Sequence, residues 1–212
     1  MLGDVLLLEE KHKNAAKLII SEILKIHKEK IIVCVSGESG SGKSELSHCI
    51  GKDLVKIHKI PTKILHSDNY YKIHPHIRNQ WRMDNGIENV GLNEIDWQKL
   101  NNNISDFLNS KVSKMPCIDL VPDEIDELVT DFAKYKILIV DGLYAINVHC
   151  SDINIYIDLT YHETKKAQSA RGKENSDELR WKILEQEHKT VLSLRPKTNI
   201  FINKDYSVTC VK

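Results

Sequence analysis

The chain has 212 residues, which suits one domain with room for a small insertion and is enough to bury a substantial core. Lys+Arg and Asp+Glu each number 30, so the formal net charge is +0 and there is no global electrostatic footprint for nucleic acid or an anionic membrane. Cys34, Cys49, Cys117, Cys150 and Cys210 are scattered without a C-x-x-C pair, and no apolar run nears the roughly 18 residues of a membrane span, so reduced thiols and a cytoplasmic location are expected.

The first expected element is an amphipathic helix at about 11–28, with Ala15, Leu18, Ile19, Ile23 and Ile26 at helical spacing. Strand-type runs follow at 31–35, 63–66, 137–140, 153–157 and 199–202, and helical patterns lie at about 43–58, 96–109, 162–170 and 177–194. Strands alternating with helices predict an α/β fold with a parallel sheet covered on both faces, its ligands at the carboxyl ends of the strands. The stretch at about 67–94 shows no convincing period yet carries Asp68, Tyr70, Tyr71, Arg78, Trp81 and Arg82; a loop this long is either functional or disordered, and its aromatic rings point to the former. With no repeat and no Pro/Gly linker, a single domain over 1–212 is expected.

Directly after the first strand run comes GESGSGKS, Gly37 to Ser44, which fits the phosphate-loop pattern G-x-x-x-x-G-K-[ST]. Gly37, Gly40 and Gly42 let successive N–H groups turn inward around an anion, and the next helix adds the positive end of its dipole. Gly37, Glu38, Ser39, Gly40, Ser41, Gly42, Lys43, Ser44 and Glu45 are the candidate nucleotide-binding stretch, with Lys43 on the terminal phosphates and the Ser44 hydroxyl on Mg²⁺. N-K-x-D and D-x-x-G, which a GTPase needs, are missing: in Asn203-Lys204-Asp205 the Asp comes one residue early. In ILHSDNYYK, Asp68 follows a strand on the phosphate-loop edge of the sheet, where it either takes a hydroxyl proton or caps a turn. In ILIVDGLYAI, a strand ends in Asp141, placed either to hold Mg²⁺ or to open a D-G turn. Arg78 and Arg82 either suit an anionic group on a bound substrate or are surface residues of a mobile loop.

Together these stretches resemble the uridine kinase and phosphoribulokinase family from Ile31 to about Val208. The matching segments are GESGSGKS, Asp68 to Tyr71, Ile95-Asp96-Trp97, MPCIDL with Asp119, Asp141-Gly142-Leu143, YIDLT, and a lid-like KKAQSARGKENSDELR. The resemblance implies a P-loop fold with a five-stranded parallel sheet of order 2-3-1-4-5, a lid at about 171–177, ATP as donor and Mg²⁺ as cofactor. It also implies Lys43 and Ser44 as nucleotide and metal residues, Asp68 as base, Tyr71 and Asp119 on the acceptor side, Asp141 as the metal-side carboxylate and Arg171 steadying the transferred phosphoryl, with Lys173 second. The chain departs from the family in having Asp141 where Glu is usual, NVGLNEIDW in place of a D-H-P-D segment, and a lid sparser in arginine.

The expected activity is ATP-dependent transfer to a hydroxyl of a small molecule, with no nucleic-acid or membrane partner and with self-association left open. A nucleotide-dependent ATPase switch without an acceptor is the alternative.

Overall fold

The computed structural model describes residues 5–119, 121, 124–164 and 178–211. Helix α1, Glu10–Ile23, leads into strand β1, Ile31–Gly37, and helix α2, Lys43–Lys56. Strand β2, Thr62–His66, is followed by a 3-10 turn at Ser67–Tyr70 and helix α3, Pro75–Asn85. After helix α4, Trp97–Leu108, come strands β3, Val112–Asp119, and β4, Glu124–Asp131, then β5, Ile137–Asp141, and β6, Ile153–Ile157. Helix α5, Glu178–Leu194, and strands β7, Ile200–Ile202, and β8, Val208–Cys210, complete it.

The central sheet runs β2-β5-β1-β6-β7-β8, and all pairings are parallel except β7 with β8. Its five parallel strands, numbered among themselves, have the expected order 2-3-1-4-5; β8 is an added antiparallel edge. Strand period decides the layers, because alternate side chains face opposite sides of a sheet. Ile31, Val33 and Val35 of β1 join Ile137 and Ile139 of β5 in a core with α1 and α2, whereas Ile32, Cys34, Leu138 and Val140 face α4 and α5.

Several expected bounds shift. Helix α1 ends at Ile23 rather than near 28, although Ile26 still packs against the core. The stretch expected to be irregular holds α3, begun by Pro75 in its first turn and ended before Gly86. The antiparallel pair β3–β4 was not expected and forms a separate two-stranded ribbon. Asn203–Asp205 lie in the turn that leads from β7 into β8. In the segment expected to be helical at 162–170, His162–Thr164 form a turn and the rest lies outside the described residues. Of the five cysteines, all free, Cys34 and Cys49 are buried while Cys150 and Cys210 are exposed. No helix among the described residues is long and apolar enough to cross a membrane.

Candidate active site

The parallel strands end together at one edge of the sheet, and the phosphate loop, Asp68 and Asp141 lie there. Phosphate-loop residues 37–42 join β1 to α2, and Lys43 and Ser44 open α2. Gly42 has φ +94, and a Cβ at this position would run into the Tyr206 hydroxyl and lie 2.9 Å from His12 Nε2, so only glycine fits.

The loop is braced from three sides. The Tyr206 hydroxyl donates to the Ser41 carbonyl at 2.6 Å, and the Tyr206 ring meets His12 of α1 edge-on at 5.0 Å. The Thr164 hydroxyl donates to the Ser39 carbonyl at 2.8 Å, and Arg180 of α5 reaches the Ser39 hydroxyl at 3.3 Å. Buried Glu38 accepts the Tyr161 N–H at 2.6 Å and pairs with His188 Nδ1 at 2.6 Å. The Glu38 carboxylate is thus engaged by the protein, and the Glu45 carboxylate accepts the Leu7 N–H at 3.3 Å. From these two positions the backbone N–H groups, not the side chains, are left for a phosphate. Lys43 Nζ spans the loop to the Glu38 carbonyl at 2.9 Å.

Beside Gly40 and Gly42 lies a cleft of about 290 Å³ whose walls include Glu45, Glu163, Lys204 and Tyr206.

Two carboxylates stand across the β2–β5 pair, whose register sets His66 opposite Asp141. Asp141 is buried, and its Oδ1 lies 2.7 Å from His66 Nδ1 while Oδ2 has no hydrogen-bond partner. Burial pushes the Asp141 carboxyl up, but His66, through its charge and its hydrogen bond, and Lys43 together hold it below the ordinary aspartate value. Asp68 sits in the 3-10 turn after β2, and its buried Oδ1 also lacks a partner. Gly142, φ +150, makes this approach feasible: a Cβ there would overlap the Ser67 hydroxyl and lie 3.3 Å from Asp68 Oδ1.

The acceptor-side segment closes at its base, where Lys72 N–H donates to the Glu94 carbonyl and Asp96 N–H to the Tyr70 carbonyl, each at 2.8 Å. Tyr71 borders the site, and burial pushes its phenol well above the ordinary tyrosine value, so it stays a neutral donor. The Arg78 guanidinium lies 3.7 Å above the Tyr71 ring centre. Arg82 departs from expectation. It is buried, it bonds both oxygens of Glu94 at 2.6 and 2.9 Å, and it reaches Glu187 of α5 at 3.4 Å, so its charge is engaged within the fold. Burial opposes that charge, yet Glu94 and Glu187 hold the guanidinium above its ordinary value. Arg82→Ala should destabilise the fold by about 3–5 kcal/mol, the range for breaking a buried ion pair, read as a loss of urea-unfolding free energy. Asp119 ends β3, where its carboxylate caps the Val121 N–H at 3.0 Å, a turn-forming role. Arg171 and Lys173 lie outside the described residues.

Sequence reasoning missed His66, Arg180, His188 and Tyr206. Only His66 carried a signal, standing two residues before Asp68 at the strand's carboxyl end.

The sequence profile of the phosphoribulokinase / uridine kinase family matches residues 32–165, from β1 to the turn beyond β6. The uridine kinase of Staphylococcus aureus (strain JH9) is 27% identical over 135 residues, covering 62% of this chain and 63% of that protein; the match therefore spans less than two thirds of the relative's length. Among solved structures, phosphoribulokinase from Rhodobacter spheroides has a TM-score of 0.66 at 12% identity, covering 84% of this chain and 71% of its own. D-glycerate 3-kinase from Cryptococcus neoformans var. grubii has a TM-score of 0.62 at 13% identity, covering 94% and 99%. Both show the same P-loop kinase fold. On the profile match, which takes in the phosphate loop, Asp68 and Asp141, the chain belongs to the phosphoribulokinase / uridine kinase family.

Proposed function

We propose that the chain transfers the γ-phosphoryl group of ATP to a hydroxyl of a small molecule. The observation that carries this reading is the pair of buried carboxylate oxygens without partners, Asp68 Oδ1 and Asp141 Oδ2, on the sheet edge that holds the phosphate loop. Buried polar atoms are nearly always hydrogen-bonded, so two unpaired carboxylate oxygens at one place point to a proton and a cation supplied by ligands.

The backbone N–H groups of the loop and the Lys43 ammonium bind and orient the phosphates. Asp141 Oδ2, a buried carboxylate oxygen with no hydrogen-bond partner among the described residues, is suited to a cation, and with the Ser44 hydroxyl of the phosphate-loop pattern it would hold Mg²⁺, an ion that keeps water and substrate phosphate among its ligands. When bound, Mg²⁺ neutralises charge on the β- and γ-phosphates. Asp68 takes the acceptor's hydroxyl proton as its oxygen bonds to the γ-phosphorus, and the bond from γ-phosphorus to the bridging oxygen breaks with its electron pair passing to ADP. The cleft of about 290 Å³ beside Gly40 and Gly42 is the space this reading assigns to the nucleoside end of ATP.

His66 orients Asp141 in this reading, since outer hydrogen bonds hold a ligating carboxylate in one rotamer. His66→Ala should raise the Mg²⁺ concentration for half-maximal activity by about 10- to 100-fold, and His66→Asn, which can still donate, should recover part of it. Equal Mg²⁺ dependence in all three proteins would remove His66 from this role. The reading as a whole is tested by ADP release across hydroxyl compounds. ADP should appear in proportion to phosphorylated acceptor; release unaffected by any acceptor would instead favour a nucleotide-hydrolysing switch.

A further inference from the structure

Among the described residues, the acceptor side holds a cation with no counter-ion. Arg78 is half-buried on α3, with Nε and Nη2 both donating to the Ile73 carbonyl at 3.1 Å and its plane lying over Tyr71. Among the described residues no carboxylate pairs with it, and Nη1 has no acceptor. Arg82, one turn on, shows the contrast: its guanidinium is matched by Glu94 and Glu187. Taking a charge out of water without a partner is costly, so an arginine so held is a site for an anion. Burial draws the Arg78 guanidinium down from its ordinary value, and the Asp68 and Glu94 carboxylates act against this, so Arg78 and Asp68 share one electrostatic neighbourhood.

The neighbouring groups agree. Tyr144 is almost fully buried, and its hydroxyl, like Asp68 Oδ1, has no partner. Glu94, the other carboxylate near Arg78, is engaged on both oxygens: Oε1 by Arg82, Oε2 by Arg82 and the Gly91 N–H at 3.1 Å. It is therefore unavailable to accept from a sugar diol, and Asp68 is left to receive a single hydroxyl.

We propose that the acceptor is itself an anion, a small hydroxy acid or phosphorylated hydroxy compound whose negative group rests on Arg78 over the Tyr71 ring while its hydroxyl meets Asp68. This rests on the kinase reading above. It is tested with acceptors matched in shape and differing in charge: glycerate against glycerol and pantothenate against pantothenol for the carboxylate, ribulose 5-phosphate against ribulose for the phosphate, with uridine as a further neutral compound. In the wild type, kcat/KM for one charged member should exceed that of its neutral partner by about 10²-fold or more, as for other desolvated charge pairs, and which pair responds identifies carboxylate or phosphate. Arg78→Gln should bring the charged-to-neutral ratio of kcat/KM close to one, and Arg78→Lys should restore part of that ratio. Turnover of neutral members as good as that of charged ones, or uridine kcat/KM above about 10⁴ M⁻¹s⁻¹, overturns the inference and leaves the kinase reading standing. Mg·ATP binding with no turnover of any member overturns both.

Discussion

Asp68→Asn is expected to lower phosphoryl transfer by about 10²- to 10⁴-fold, the range for losing a general base, while the dissociation constant for ATP changes little. The asparagine keeps the shape of the side chain and cannot take a proton. Among the described residues the Asp68 carboxylate accepts no hydrogen bond, and the 3-10 turn it belongs to has no side-chain cap. The turn-capping alternative thus has no contact to rest on, and a structural role would leave transfer unchanged. The two measurements, ATP affinity by titration and transfer in a single turnover, separate proton removal from nucleotide binding, because Asp68 faces the β5 exit at Gly142 rather than the phosphate loop. Intact binding with normal transfer would remove Asp68 from the mechanism.

Lys43→Ala is expected to weaken ATP binding and to cut transfer by at least about 10²- to 10³-fold, the loss typical of a single preorganised donor to developing charge. The fold should tolerate it. Lys43 is partly exposed and donates to the Glu38 carbonyl within its own loop, and the loop is also braced by Tyr206 on Ser41 and by Thr164 on Ser39. A stability change below about 1 kcal/mol, a shift of roughly 2–4 °C in Tm, is therefore expected. Loss of the Lys43 charge also removes one of the groups that hold the Asp141 carboxyl low, although His66 is the stronger influence. Wild-type activity in this variant would contradict the phosphate-loop assignment; a large fall in Tm would show that the lysine braces the fold.

The placement of the candidate site was largely legible because its signals are local. The phosphate loop is a contiguous pattern, and Asp68 and Asp141 each follow a short apolar run, so chain order alone puts them at the same ends of parallel strands. Helix α3 was not legible by hydrophobic period because its one fully buried residue is Arg82, whereas Ile77 and Met83 are exposed. Its boundary residues, Pro75 and Gly86, were the readable signal. The ribbon β3–β4 escaped for a related reason: in β3 Val112 is exposed, Ser113 is buried and Pro116 interrupts the run, and the first six residues of β4 are all exposed, so neither strand's residue types alternate as in a half-buried sheet. The braces on the phosphate loop could not be read at all. Nothing in a linear pattern brings Tyr206 or His188 to residues 38–42, since those contacts exist only once the strands are ordered. Arg82 misled for a physical reason: an arginine amid aromatic residues reads as an anion site until the glutamates that occupy it, one of them more than 100 residues away, are in place.

The central claim, that the γ-phosphoryl group passes directly to a hydroxyl bound at Asp68, is most directly tested by following the label from [γ-³²P]ATP in a single turnover with enzyme in excess and an acceptor that stimulates ADP release. The account predicts that the label appears in the phosphorylated acceptor at the rate ADP forms, with little inorganic phosphate, and that Asp68→Asn slows both together. Label released chiefly as inorganic phosphate, at a rate indifferent to the acceptor and to the Asp68 substitution, would contradict it.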